Sequence, residues 1–270
     1  MLSRQIVGIG SPLNPQYQAS DFGFDVSMIR AVSFDAGLTL LRPDPPIEEI
    51  YLREFARDGA RGGEPELRAA LARTWKEIRD RRLVDRYSGP TGERGFWELF
   101  VERARFHFDG GRLSSACFER LVEYFIRPEA WTVYPDVVPA LDALREQGLP
   151  IAVVSNWDST LAGLLEAHGL AARFSAVLIS AVEKSGKPHP EMFRRAAERL
   201  GVAPGELMHV GDSLEEDYVA ARDAGFPALL LDRDDRHREI GERIRSLSEL
   251  APRLLGGPRR EPETEPLGSR

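Results

Sequence analysis

The chain of 270 residues holds one cysteine and three lysines, and it has no apolar run near the ~18 residues a membrane span needs. With Cys117 alone, neither an internal disulfide framework nor a multi-cysteine zinc site can form. Cys117 lies in a helical pattern and reads as a partly buried structural thiol. Residues Met1 to Ser11 lack a basic region followed by an apolar stretch, so no secretory signal is read there and a cytoplasmic chain is expected. Basic residues (36) are outnumbered by acidic ones (43), and the net charge of −7 argues against a general nucleic-acid binder. No nucleic-acid or membrane partner is expected. Of the basic residues 33 are arginine, a habit of GC-rich coding that makes Lys76, Lys184 and Lys187 individually informative. What is abundant is core material: 42% hydrophobic with 29% charged residues suits a folded chain with a sizeable interior.

Residues 1–27 are rich in Gly, Pro, Ser and Gln and show no sustained period, so they read as a loose N-terminal extension. Met28 precedes the first clear strand and could be the working start. The tail 256–270 is Pro/Glu-rich and reads as disordered. Between them lie two textures. Residues 43–132 carry helical spacing, as in Leu67, Leu71, Trp75 and Ile78, broken by Gly62-Gly63 and Ser88-Gly89-Pro90. In residues 133–255 short apolar strands at 151–155, 176–179, 207–210 and 227–231 alternate with helices at about 135–147, 159–168, 190–200 and 215–224. The strand 31–34 belongs with these four. Continuous apolar strands alternating with helices predict a Rossmann-like α/β core of five or more parallel strands, with helices on both faces. Residues 28–42 and 133–255 would form that core, with 43–132 inserted as an all-helical unit.

Polar residues recur where such strands end, the edge at which open parallel sheets gather their chemistry. Asp35-Ala36-Gly37-Leu38-Thr39 follows the first strand and Ser155-Asn156 close the second. Glu183-Lys184-Ser185-Gly186-Lys187-Pro188 follows the third. Gly211-Asp212-Ser213 follows the fourth, with Asp217 five residues beyond Asp212. Each piece alone fits a turn or a helix cap. Four in succession at one sheet edge instead form a coherent electrostatic set. Carboxylates can hold a hard divalent ion through oxygen, while hydroxyl, amide and lysine can neutralise phosphate oxygens.

The order and spacing resemble the haloacid dehalogenase-like superfamily of aspartate-nucleophile hydrolases, over about residues 29–235. The stretches Val133-Tyr134-Pro135-Asp136-Val137, Val154-Ser155-Asn156-Trp157 and His209-Val210-Gly211-Asp212-Ser213 are most similar to the subgroup with a helical cap inserted after the first motif. The resemblance implies a magnesium-dependent phosphatase of small phosphorylated molecules, with no partner beyond its substrate and a monomeric or homodimeric state. Asp35 would attack phosphorus and become an aspartyl-phosphate. Mg2+ would bind Asp35, the backbone carbonyl of Gly37 and Asp212, with Asp217 contributing indirectly. Lys187 would stabilise charge on nucleophile and phosphate, Pro188 favouring it over Lys184. Ser155, Asn156 and Thr39 would contact the phosphate, Thr39 also steadying the loop after Asp35.

One departure matters. The family's second aspartate, its general acid and base, is Gly37 here. Such a group contributes roughly 10²–10⁴-fold, so turnover is expected to be weak and biased toward aryl or acyl phosphates. Restoring the carboxylate by Gly37→Asp should then raise it. Asp44 or Glu48 are the candidate replacements. Three further readings follow from the same family: a catalytically impaired phosphate-binding or interaction protein, a metal-free 2-haloacid dehalogenase, and a phosphonate-cleaving enzyme using Lys76. Asp212 opposes the metal-free reading, since it serves a cation. Glu77 and Asp80 beside Lys76 oppose the last. Trp97 and Phe100 read as packing residues of the helical unit, and His209 as a buried core histidine.

Overall fold

The computed structural model describes residues 24–80 and 92–255. Most of the expected N-terminal extension, the tail from 256 and the Ser88-Gly89-Pro90 breaker lie outside the described residues. Phe24 and Val26 already pack against the core, and Val26–Met28 form a 3-10 turn whose Ser27 amide donates to Asp25 Oδ1 at 2.9 Å.

The chain enters the sheet at β1 (Ala31–Phe34), every residue of which is buried. A short strand β2 (Leu41–Pro43) then pairs antiparallel with β3 (Trp131–Val133). Between these two strands run α1 (Ile47–Arg57), α2 (Glu64–Asp80), α3 (Gly92–Asp109) and α4 (Ser115–Phe125). Their spacing explains them. Ile50, Tyr51 and Phe55 in α1, and Phe96, Phe100, Val101 and Ala104 in α3, recur at helical intervals and meet in one apolar cluster. Cys117, fully buried, belongs to that cluster, and Ser114 caps α4 by accepting from the Cys117 amide at 3.1 Å. Burial pushes the Cys117 thiol up to about 11, as befits a packing residue.

After β3 come α5 (Val137–Glu146), β4 (Ile151–Ser155), α6 (Leu161–Ala167), β5 (Ala176–Ile179), α7 (Ser180–Glu183), α8 (Glu191–Leu200) and β6 (Leu207–Gly211). A π-helical turn over Leu214–Val219 runs into α9 (Ala220–Asp223), followed by β7 (Ala228–Leu231), β8 (Arg243–Ile244) and α10 (Leu250–Leu255). The sequence predicts one helix over 215–224. The π turn replaces its first half because Asp217 is drawn back to the Ser213 amide, at 2.9 Å. Neither β8 nor the β2–β3 ribbon is announced by apolar spacing, since each has only two or three residues.

The main sheet is parallel in the order β5-β4-β1-β6-β7-β8. Two apolar clusters cover its faces: Val32, Phe34, Val153 and Met208 lie on one, Ala31, Val154, Leu207 and Phe193 on the other. The fold is therefore a Rossmann-like α/β core. From β1 the chain builds outward to β4 on one side and β6 on the other. Loops leaving those strands diverge, and a crevice opens beyond the carboxyl ends at that point. No described helix is long and apolar enough to cross a membrane.

Candidate active site

Asp35 is the first residue past β1, in the crevice, and is 8% exposed. Its Oδ1 accepts from Ser155 Oγ at 2.9 Å and from Lys187 Nζ at 2.7 Å. Ser155 ends β4, hydrogen-bonded beside β1, which is why residues 120 positions apart meet. Lys187 is 3% exposed and also contacts Asp217 Oδ1. Lys184, in the same loop, is exposed and closes α7 in the left-handed region at φ 54°.

The loop that delivers Lys187 is held by Asn156. Its Oδ1 accepts from the Lys187 amide at 2.7 Å, while its Nδ2 donates to the Lys187 carbonyl at 2.7 Å and to Glu216 Oε2 at 2.9 Å. Both ends of the amide are thus occupied. Gly186 is required where the loop passes, since a Cβ there would lie 2.8 Å from Asn156 Oδ1. Thr39 is likewise spent on scaffolding. Fully buried, it donates to Asp212 Oδ1 at 3.3 Å and accepts from the Asp212 amide at 3.1 Å. Thr39 therefore orients Asp212, and its hydroxyl does not line the cavity, contrary to the expectation of a phosphate contact. Asp44 and Glu48, the expected substitutes for the missing acid, do not line it either. Asp44 accepts from Thr132 Oγ1 at 3.2 Å, and Glu48 faces Arg68.

His209 takes a larger part than its sequence context suggests. Ser33 and His209 are register partners across β1 and β6, and both are completely buried. His209 Nδ1 lies 2.9 Å from Ser33 Oγ, and Nε2 lies 3.1 Å from Asp217 Oδ1. Burial lowers the imidazole pKa, which favours the neutral ring. A carboxylate can only accept, which places the proton on Nε2 and leaves Nδ1 to accept from Ser33. A buried relay, Ser33–His209–Asp217–Lys187–Asp35, runs beneath the crevice. The sequence signal was a polar residue inside each of two otherwise apolar strands.

Three carboxylates, Asp35, Asp212 and Asp217, each present an oxygen within 4.8 Å of the others, and one ammonium stands among them. Burial raises the Asp35 pKa to about 6, despite Lys187. Asp212 is pushed well above the carboxylate range by burial, then by the charges of Asp35 and Asp217. Asp217 lies below that range, because Lys187 and His209 overcome its burial. Burial also opposes the Lys187 ammonium, yet Asp217 and Asp35 outweigh it and hold its pKa above the usual lysine value. This set is short of positive charge: three carboxylates against one ammonium, with Asp212 uncompensated. A cation would relieve that deficit, and an all-oxygen donor set suits a hard divalent ion.

Above the carboxylates lies a cavity of about 410 Å3, bounded by the sheet edge and by α1 to α4. Trp97 of α3 donates to Asp158 Oδ2 at 3.1 Å, and Glu93 accepts from the Ser159 amide at 2.9 Å. The helices are thereby tied to the loop after β4. Trp157 stands beside Gly37, and a Cβ added at Gly37 would lie 3.2 Å from its Cζ3. Its ring packs on Trp131 with centroids 4.6 Å apart. An indole thus crowds the space into which the family's second carboxylate would project. Sequence reasoning missed Trp157, because nothing in the spacing ties it to Gly37.

The haloacid dehalogenase-like hydrolase family matches residues 29–225. "Haloacid dehalogenase-like hydrolase domain-containing protein 3" of Danio rerio is 31% identical over 235 residues, covering 84% of this chain and 96% of that protein. "Phosphoserine phosphatase" of Thermus thermophilus is 38% identical over 149 residues, which is 54% of this chain and 57% of that one. A crystal structure of an "HAD phosphatase" from Thermococcus onnurineus superposes with a TM-score of 0.60 at 31% identity, covering 86% of this chain and 100% of that one. With Asp35, Ser155, Lys187 and Asp212 converging at one sheet edge and the match spanning most of its length, the chain belongs to the haloacid dehalogenase-like hydrolases.

Proposed function

We propose that this hydrolase is a magnesium-dependent phosphatase of small phosphorylated molecules, acting through Asp35, with residues 43–132 as a cap over the core. The observation that carries the reading is the asymmetry of Asp35. Oδ1 takes both hydrogen bonds, from Ser155 and Lys187, whereas Oδ2 has no hydrogen-bond partner among the described residues, and Asp35 lines the cavity. One oxygen is fixed and the other is available to attack.

In the first step an Asp35 oxygen forms a bond to phosphorus and the bond from phosphorus to the leaving oxygen breaks, giving an aspartyl-phosphate and an alkoxide or aryloxide. In the second, water attacks phosphorus, inorganic phosphate departs and the carboxylate is regenerated. Lys187 offsets the charge that gathers on Asp35 and the phosphoryl oxygens, and Asp217, held by His209 and the Ser213 amide, keeps that ammonium in place. Asp35 and Asp212 would hold Mg2+, with the Gly37 carbonyl, while Asp217 acts on the metal site only indirectly. When bound, Mg2+ supplies charge neutralisation that lets a carboxylate approach a phosphate. Gly37 offers no proton to the leaving oxygen, so that oxygen takes one from water. Good leaving groups are favoured accordingly.

The test is release of p-nitrophenol from p-nitrophenyl phosphate, with 2-haloacids in parallel, each in magnesium and in EDTA, for wild type and Asp35→Asn. Magnesium-dependent phosphate release that vanishes in Asp35→Asn is expected. Halide release that persists in EDTA would replace this reading with the dehalogenase one.

A further inference from the structure

Four tryptophans occur in the sequence, at 75, 97, 131 and 157, and all four line the cavity above Asp35. Two lie on α2 and α3, one on β3 and one in the loop after β4, so the chain brings its most costly apolar side chains to one place from four segments. Each is only partly buried, leaving ring surface toward the cavity. Tyr51, Phe118, Leu121 and Val122 deepen the wall. Charge is distributed the opposite way. Lys187 is the one cation among the described lining residues, and it is already committed to Asp35 and Asp217. Asp158 and Glu216 line the cavity as further acids. Arg53, Arg57 and Arg120 of the helical unit gather instead on Glu54, which lies outside the lining.

Resting on the phosphatase reading above, we infer that the part of the substrate beyond the phosphate is an uncharged apolar group of aromatic size, and that monoesters carrying a carboxylate are rejected. A glycolate- or serine-sized group would leave most of the aromatic wall facing water. Its carboxylate would be desolvated next to acids, with no uncommitted cation among the described lining residues to pair it. A ring in the same place would cover apolar surface, and burial of such a group is worth roughly 1.5–3 kcal/mol, or about 10- to 100-fold in affinity. This preference is separate from the leaving-group bias imposed by Gly37, because it acts on binding.

The experiment uses a pair of phosphonates that cannot be hydrolysed, benzylphosphonate and phosphonoacetate, titrated into the full chain in magnesium buffer and followed by intrinsic tryptophan fluorescence. Benzylphosphonate should bind roughly 10- to 100-fold more tightly and perturb the emission, since every tryptophan faces the site. Ile126, at the cavity wall and 50% exposed, tolerates a charge without loss of core packing. Ile126→Arg should shrink the ratio by strengthening phosphonoacetate. Equal or tighter binding of phosphonoacetate to wild type would overturn the inference while leaving the phosphate site standing. Binding of neither compound would overturn both.

Discussion

Gly37→Asp restores the carboxylate that this chain lacks, and the structure predicts that on its own it will do little. Gly37 does not lie in the left-handed region, so an L side chain fits the backbone there. The obstacle is Trp157, whose Cζ3 would sit 3.2 Å from the new Cβ and whose ring is braced against Trp131. Overpacking of this kind costs about 1–3 kcal/mol, which in a chain of this size lowers Tm by several degrees. A carboxylate pushed aside by the indole cannot reach the leaving oxygen, so turnover of an alkyl phosphate should rise less than about tenfold. Gly37→Asp with Trp157→Ala removes the obstruction. A positioned acid is worth roughly 10²–10⁴-fold, about 3–5 kcal/mol of barrier, and the double variant should recover much of it. The assay is kcat for an alkyl and an aryl phosphate side by side, with melting curves on each variant. The double variant should narrow the gap between the two substrates. Full recovery in the single variant with an unchanged Tm would refute the role given to Trp157. No recovery in the double variant would refute the claim that a missing acid limits the rate.

Two further outcomes follow from buried polar contacts. His209→Leu strips a donor from Asp217 and an acceptor from Ser33, both buried, and should cost about 1–3 kcal/mol in thermal unfolding; His209→Gln should recover part of it. Indifference to both substitutions would show that the relay does not hold Asp217. In α1, Glu54 is 3% exposed and burial would raise its pKa, but hydrogen bonds from Arg120 and Arg53 and the charge of Arg57 hold it below the ordinary value of 4.5. A depressed carboxylate stabilises the fold above its unfolded pKa and loses that contribution as pH falls through the folded value. Wild type should therefore lose more stability than Glu54→Gln as pH is lowered through and below 4.5. Parallel pH profiles of denaturant midpoints for the two proteins would contradict the assignment.

The α/β core was legible because five short, largely apolar strands alternate with helices, the pattern of a parallel sheet covered on both faces. β8 and the β2–β3 ribbon were not, since two or three residues carry no period. Asp35, Ser155, Lys187 and Asp212 could be picked out by position, each at the end of a strand or in the connection that follows it, on strands that the parallel order brings to one edge. Thr39 and Asn156 were placed in the right loops, but the bonds of Thr39 to Asp212 and the clamp of Asn156 on the Lys187 backbone were not foreseen. A hydroxyl or an amide bonds whatever the loop turns toward it, and loop geometry is not written in residue type. His209 was read as a buried core histidine, which it is, but its bonds to Ser33 and Asp217 depend on a register that is fixed only once β1 and β6 pair. Trp75 and Trp97 stand at helical spacing consistent with packing, and nothing in the spacing ties Trp131 or Trp157 to them. That all four face a common space is a property of tertiary structure alone.

The central claim is that Asp35 is the nucleophile. Acid quenching of an aryl phosphate reaction during turnover, followed by peptide mapping, tests it most directly. The account predicts a phosphoryl group on the peptide containing Asp35, absent in Asp35→Asn, whose phosphate release is also lost. Phosphate release at the wild-type rate from Asp35→Asn, or a phosphoryl group trapped on another residue, would contradict it.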